Sequence, residues 1–263
     1  MRALTTIVRT VRQSHKAWDD EYSRLARTIV RSLPFRSGEI VEIGCGRGRL
    51  TIALARHLPS ARIVAIDRFA GPYSNDRTRL EDRLIRARVL DRVHVVSSDG
   101  LVWLGRRRSR IRALITGELL PELSVRQMER LFRRTFRTLE DGGRTVHAFL
   151  SPVARNQRQR LTIEADSDPR WTRYPPTEWF APLPKAASTC LRAAGFEDVR
   201  VRLLPSRIQF RGPAIAHQLR TWGVRPTFDR AHRRELEGGL ELPDWILLSG
   251  VRKARGAGRA VRL

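Results

Sequence analysis

Three glycines and three carboxylates carry the clearest chemistry in this chain. The motif Glu42-x-Gly44-x-Gly46-x-Gly48 lies between an apolar run and a helix-prone stretch. Without Cβ atoms such a loop turns sharply and lets a ligand approach the positive end of the following helix. Asp67 follows Gly48 by 19 residues, at the end of the next apolar run, where a carboxylate can accept both hydrogen bonds of a ribose diol. Asp99, with Gly100, closes the third run. Each piece has a plainer use as a tight turn or a cap. Their order, one at the end of each of three successive runs, points instead to a ligand at one edge of a sheet. Arg49 stands where a dinucleotide fingerprint carries its third glycine, so the loop departs from the nicotinamide pattern.

The elements that must position these residues can be read from periodicity. Ser14 to Leu33 places Trp18, Tyr22, Leu25, Ile29 and Leu33 at helical spacing and stops at Pro34. Strands are expected at Glu39–Ile43, Ala61–Asp67, Arg92–Ser97, Ile111–Thr116 and Thr145–Leu150, with helices over Leu50–Leu58 and from about Asn75 to Leu90. Ser124 with Gln127 forms a capping box for a helix striped by Val125, Met128, Leu131, Phe132, Phe136 and Leu139, which Asp141-Gly142-Gly143 should end. Residues 151–184, rich in proline, arginine and aromatics, read as a connection or cap rather than core. A helix at Lys185–Ala194, a strand at Val199–Leu204, a partly helical arginine-rich excursion over 205–243 and a last strand at Trp245–Val251 follow. This alternation predicts an α/β fold: a doubly wound, mostly parallel seven-stranded sheet with helices on both faces, a leading helix and a late helical excursion. Residues 1–252 are expected to form a single domain, with 34–150 as its ligand-binding half, and 253–263 a frayed basic tail. There is no internal repeat.

The acidic-x-Gly-x-Gly-x-Gly loop resembles motif I of the class I S-adenosylmethionine-dependent methyltransferases. The resemblance covers residues 14–150 well and 185–251 loosely, where Leu191-Arg-Ala-Ala-Gly195-Phe196 is similar to the family's late helix-to-strand passage. It leaves the 205–243 excursion outside. It implies S-adenosylmethionine as cofactor, its methionine part on Glu42, Gly44, Cys45, Gly46 and Gly48, its ribose on Asp67 and its adenine amino group near Asp99. Arg68, Phe69, Gly100 and Leu101 would complete the cofactor site, with Phe69 and Leu101 as apolar walls, while Trp18 and Tyr22 would close over it.

Methyl transfer from a sulfonium is an in-line displacement that needs an aligned acceptor and, for some acceptors, a base. Glu118, in Thr116-Gly117-Glu118-Leu119-Leu120-Pro121-Glu122, is the first candidate to orient or deprotonate an acceptor, against the alternative of an ion pair with one of many arginines. His147 is a secondary candidate base, against ordinary packing in a strand. The fourth strand does not end in the Asn/Asp-Pro-Pro-aromatic sequence of amino methyltransferases acting on bases. Glu118 and Glu122 straddle Pro121 only four apart, unlike the paired glutamates of protein arginine methyltransferases. Cys45 and Cys190 are misplaced for cysteine-based pyrimidine chemistry and too few for a disulfide framework or a zinc site, so no metal is expected. Trp171, Tyr174, Trp179 and Phe180 could roof a flat acceptor or anchor their own loop.

The formal charge of +24 comes almost wholly from arginine, since only Lys16, Lys185 and Lys253 are lysine. Such uniform use suits a compositional bias as well as a phosphate-binding face. No apolar run approaches the roughly 20 residues of a membrane span, and arginines interrupt the first residues, so a soluble cytoplasmic chain is expected. A small-molecule acceptor is the leading expectation. An RNA- or ribosome-directed methyltransferase is the alternative, on Arg106-Arg107-Arg108, Arg155, Arg158, Arg160 and the tail; a non-catalytic S-adenosylmethionine-binding interaction protein is the third.

Overall fold

The computed structural model describes residues 2–70, 76–172 and 184–253. In chain order the elements are α1 (Arg2–Ser32), β1 (Ser37–Ile43), α2 (Arg49–His57), β2 (Ser60–Asp67), α3 (Arg77–Arg86), β3 (Val93–Ser97), α4 (Gly100–Arg106), β4 (Ile111–Gly117), α5 (Val125–Thr138) and β5 (Leu139–Leu150). There follow α6 (Gln157–Ser167), α7 (Pro184–Ala193), β6 (Glu197–Leu204), β7 (Gln209–Phe210), α8 (Pro213–Thr221), α9 (Pro226–Ala231), α10 (Arg233–Glu237), β8 (Leu240–Glu241) and β9 (Trp245–Val251). The seven-stranded sheet has the order β3-β2-β1-β4-β5-β9-β6. The pairings among β1 to β5 are parallel, and β9 runs antiparallel between β5 and β6.

The central strands are buried on both faces, as expected of the Val- and Ile-rich runs Ile40–Ile43 and Ile63–Ile66. One face packs Leu25, Ile29, Leu54 and Leu84 from α1, α2 and α3. The other packs Leu104, Met128, Leu131, Phe132 and Leu191 from α4, α5 and α7. Chain order reverses between β1 and β4, and this topological switch point opens a crevice at the carboxyl ends of those strands. Both halves of the capping box at Ser124 and Gln127 are made, which fixes where α5 starts above β4.

Four expectations are corrected. Residues 151–184 hold α6, with Gln159, Leu161 and Ala165 in the core. Asn156 caps this helix by accepting the Gln159 amide (2.9 Å), and the buried Gln159 side chain donates to Glu241, the Leu242 carbonyl and Asp244. A helix that buries amides as well as alkyls shows no one-sided apolar stripe. Asp141-Gly142-Gly143 does not end α5, which stops at Thr138; the glycines lie within β5, opposite a register shift between Ile111 and Ala113. The leading helix starts at Arg2 rather than Ser14. A short helix, α4, follows Asp99 where none was expected, because the Asp99 carboxylate accepts the Val102 amide as its cap.

The 205–243 excursion is a lobe of α8, α9 and α10 closed by the antiparallel pair β7–β8. Its base is an ion network on two buried carboxylates, in which Arg155 meets Asp244 (2.7 Å) and Glu241 (3.3 Å), and Arg158 meets Glu241 (3.3 Å). These two arginines neutralise buried carboxylates, and Arg107 likewise pairs with Glu39, so three of the basic residues singled out for RNA serve the fold. Tyr174, Trp179, Phe180 and the tail beyond Lys253 lie outside the described residues.

Candidate cofactor and acceptor crevice

Gly44, Gly46 and Gly48 all take positive φ (77°, 49° and 74°), a region side-chain-bearing residues rarely adopt. A Cβ on Gly48 would stand 2.1 Å from Leu80 Cδ1, and one on Gly44 would stand 3.3 Å from Leu119. The loop is tied to β2, since Gly44 and Cys45 both donate to the Ile66 carbonyl (2.8 and 3.1 Å). Gly48 caps α2 without a side chain, which leaves the first-turn amides open to an anionic group. Beneath the loop, Glu42 is 1% exposed, and the Thr51 hydroxyl beside it makes no well-formed hydrogen bond to its Oε2. Burial, tempered by Thr51 and reinforced by Asp67, pushes the Glu42 carboxyl up to about 8. Orphaned buried polar atoms are costly, and a ligand amine arriving at this loop would satisfy them. Burial, Glu42 and Asp67 also push the Cys45 thiol far up, which disfavours its nucleophilic thiolate form.

Asp67 ends β2 with Oδ2 accepting the Gly46 amide and Oδ1 accepting the Phe69 amide, both at 2.8 Å. Each oxygen keeps a second lone pair for a hydroxyl. Gly100 lets α4 approach β1, since a Cβ there would lie 2.3 Å from Ile43 Cγ2. Phe69, half-buried at φ 52°, packs on the α1–α3 face, and Leu101 packs on the opposite face; Arg68 is exposed. Glu42, the glycine loop, Asp67 and Asp99 therefore share the carboxyl edge of β1, β2 and β3, an arrangement fit for a nucleoside bearing an amino-acid chain.

Glu118 follows β4 in a left-handed conformation (φ 59°), unusual for a residue with a side chain. It is held there by its amide donating to the Ala148 carbonyl (2.8 Å) and by Oε1 accepting the Leu150 amide (2.7 Å), so it clasps the ends of β4 and β5. Burial first, then Asp166 and Glu122, push its carboxyl up to about 8. Tyr22 of α1 lies within electrostatic reach of both Glu118 and Glu42, and its hydroxyl is pushed up by burial. Trp18 donates to Gln218 of α8 (3.2 Å), carries the Arg49 guanidinium over its ring (5.6 Å) and packs near Phe210 (6.4 Å). Tyr22 meets Trp245 edge-on at 5.6 Å. The leading helix and the late lobe thus form one roof beside Glu118.

Two candidates do not reach this crevice. His147 is fully buried, with Nδ1 bonded to Thr116 (3.0 Å), Nε2 bonded to Thr145 (2.8 Å) and Phe132 against its ring; burial holds it neutral with a pKa of about 3. Trp171 anchors its own turn to the lobe, with Phe228 and His232 at 5.6 Å and its indole donating to Glu164 (3.0 Å). Conversely, Asp166 of α6, its carboxyl raised to about 6 by burial, stands within electrostatic reach of Glu118, and Gln218 of α8 bonds Trp18. Their helices could not be placed over β4 from spacing, and neither residue sits in a recognisable motif. Glu122 was visible in the sequence only as a neighbour of Glu118; it shares the electrostatic field of Asp67 and Arg68.

Residues 40–143 match the family described as methyltransferase domain. Trans-aconitate 2-methyltransferase of Afipia carboxidovorans is 37% identical over 71 residues, 27% of this chain, and the match spans 28% of that relative's length. Among solved structures, a cyclopropane-fatty-acyl-phospholipid synthase-like protein from Lactobacillus casei aligns at TM-score 0.65 and 15% identity, over 91% of this chain and 92% of that one. The S-adenosylmethionine-dependent methyltransferase SibL aligns at TM-score 0.56 and 18% identity, over 89% of this chain and 56% of its own. The strand order β3-β2-β1-β4-β5-β9-β6, the loop beneath which Glu42 is buried and the matched segment agree: residues 40–143 match a methyltransferase domain, and the chain shares the fold of S-adenosylmethionine-dependent methyltransferases.

Proposed function

We propose that the protein transfers a methyl group from S-adenosylmethionine to a small-molecule acceptor enclosed between Glu118, α1 and the late lobe. The observation that carries this reading is the shared roof, in which Trp18 donates to Gln218 and Tyr22 packs on Trp245 beside the clasped Glu118. A crevice roofed from two distant parts of the chain suits a ligand small enough to be surrounded. The 71-residue likeness to an enzyme named for a small acid supports the acceptor's size. The lining of Glu118, Glu122 and Asp166 opposes an anionic acceptor of that kind and favours one that donates protons.

Bound S-adenosylmethionine supplies a methyl group on a positively charged sulfur, open to in-line displacement. Glu42, the loop amides and Asp67 would hold it at the carboxyl edge. Glu118, with a carboxyl near 8, is mostly protonated at neutral pH; in its ionised form, which grows as pH rises toward 8, the oxygen not engaged by Leu150 would take the proton an acceptor hydroxyl or amine gives up. Tyr22 and Trp18 exclude water above it.

Titration calorimetry of the wild type with S-adenosylmethionine and S-adenosylhomocysteine should show binding of both. Incubation with methyl-labelled S-adenosylmethionine and cell fractions should place label in the low-molecular-weight fraction. Label in RNA alone would overturn the acceptor class, and failure to bind either compound would overturn the whole reading.

A further inference from the structure

Helix α5 carries arginines at 126, 130, 133 and 137, all exposed, at the spacing that aligns side chains in one row about 16 Å long. None of the four has an ion pair among those described. The helix's one acid, Glu129, lies within electrostatic reach of Cys190 on α7. Its fifth arginine, Arg134, turns to the Leu101 carbonyl on α4. Like charges three and four residues apart weaken a helix, so the row costs stability that no ion pair among the described residues offsets.

Compositional bias does not account for this. Helix α3 is also arginine-rich, yet there Arg77 pairs with Glu81 (2.8 Å), Arg79 with Asp76 (3.6 Å) and Arg83 with Asp19 (3.6 Å). On α5 the same bias runs unneutralised along one face. At its far end the row meets the exposed Arg110, which donates to the carbonyls of Arg137 and Leu139 and follows the exposed Arg106 and Arg108 in the chain. Its near end starts beside the Ser124 cap, one short turn from Glu122 at the crevice.

We propose that this face of α5 docks single-stranded RNA, an activity beyond methyl transfer to a small acceptor. A single row of guanidiniums fits one phosphodiester strand, where bidentate contacts to phosphate suit arginine. A lipid surface fits less well: helices that bind membranes insert their apolar face, whereas Met128, Leu131 and Phe132 of α5 are buried in the core, leaving only Val125 exposed.

The test is fluorescence anisotropy of a labelled 20-nucleotide uridine RNA on the full chain at several salt concentrations. The control replaces four arginines of the opposite face, Arg56, Arg77, Arg79 and Arg86, by glutamine, an equal loss of charge. The variant Arg126→Gln/Arg130→Gln/Arg133→Gln/Arg137→Gln should bind at least tenfold more weakly with a salt slope shallower by roughly 3, while the control stays within about twofold of wild type. Arg130→Glu alone should weaken binding severalfold, so a quadruple variant that fails to fold leaves the test intact. Equal losses in stripe and control variants, wild-type binding by the stripe variant, or stripe-dependent binding to phosphatidylglycerol vesicles without RNA binding would each overturn it.

Discussion

Gly46 donates its amide to Oδ2 of Asp67 over 2.8 Å, so the carboxylate proposed to hold a ribose also fastens the glycine loop to the end of β2. Ligand site and loop conformation therefore share one side chain. Asp67→Ala should weaken S-adenosylmethionine binding at least tenfold in calorimetry and, by stranding the amides of Gly46 and Phe69, cost about 1–3 kcal/mol in thermal unfolding. Unchanged unfolding with lost binding would show that the loop holds itself.

Gly48→Ala should destabilise by about 1–3 kcal/mol, since it forces a side chain to φ 74° and sets a Cβ 2.1 Å from Leu80 Cδ1. Leu80→Ala removes the collision but not the backbone cost. The double variant should lose less than the sum of the singles in denaturant unfolding; strict additivity would rule out the steric part.

Glu118→Gln should lower the rate of transfer about 100-fold or more while S-adenosylmethionine binding changes little. Its stability effect has a definite sign. The folded carboxyl sits near 8, above its ordinary 4.5, so the fold favours the protonated form and stability declines as pH rises from about 4.5 to 8. Glu118→Gln, and likewise Glu42→Gln, should flatten that decline and raise the unfolding midpoint at pH 9 by a few degrees relative to wild type. A steeper decline in Glu118→Gln would contradict the shielding described for it.

His147 works in the opposite direction. Held neutral with a pKa of about 3 against 6.5 when unfolded, it contributes stability above about 6.5 that is lost as pH falls toward 3. Replacement by Ala should cost about 2–4 kcal/mol by leaving a cavity and the hydroxyls of Thr116 and Thr145 without this partner, and should leave the pH profile of transfer where it was. A shifted profile in a folded variant would return His147 to the chemistry.

The strands and the glycine loop were legible because their signals are local: β-branched runs bounded by glycine, and acidic residues at fixed offsets. The acceptor side was not. Glu118 stood out by its place after β4, but its clasp on Leu150 depends on the pairing of β4 with β5, and Asp166 arrives on a helix that buries Gln159 and so shows no stripe. Asp99 was read for a ligand, and the structure shows it also starting α4. Arg155 and Arg158 looked free in the sequence because their partners, Glu241 and Asp244, lie more than eighty residues away.

Strand β9 lies between β5 and β6, so among the described residues the strand latest in the chain is an interior one. A ribosome that has released residue 240 has produced two sheet edges, on β5 and β6, that both await β9 as their partner. Until Trp245 to Val251 emerge, both are open to any neighbouring chain. Emergence of residues 245–251 is thus the step that closes the sheet, and chains interrupted shortly before it should be marked for capture by chaperones or for aggregation.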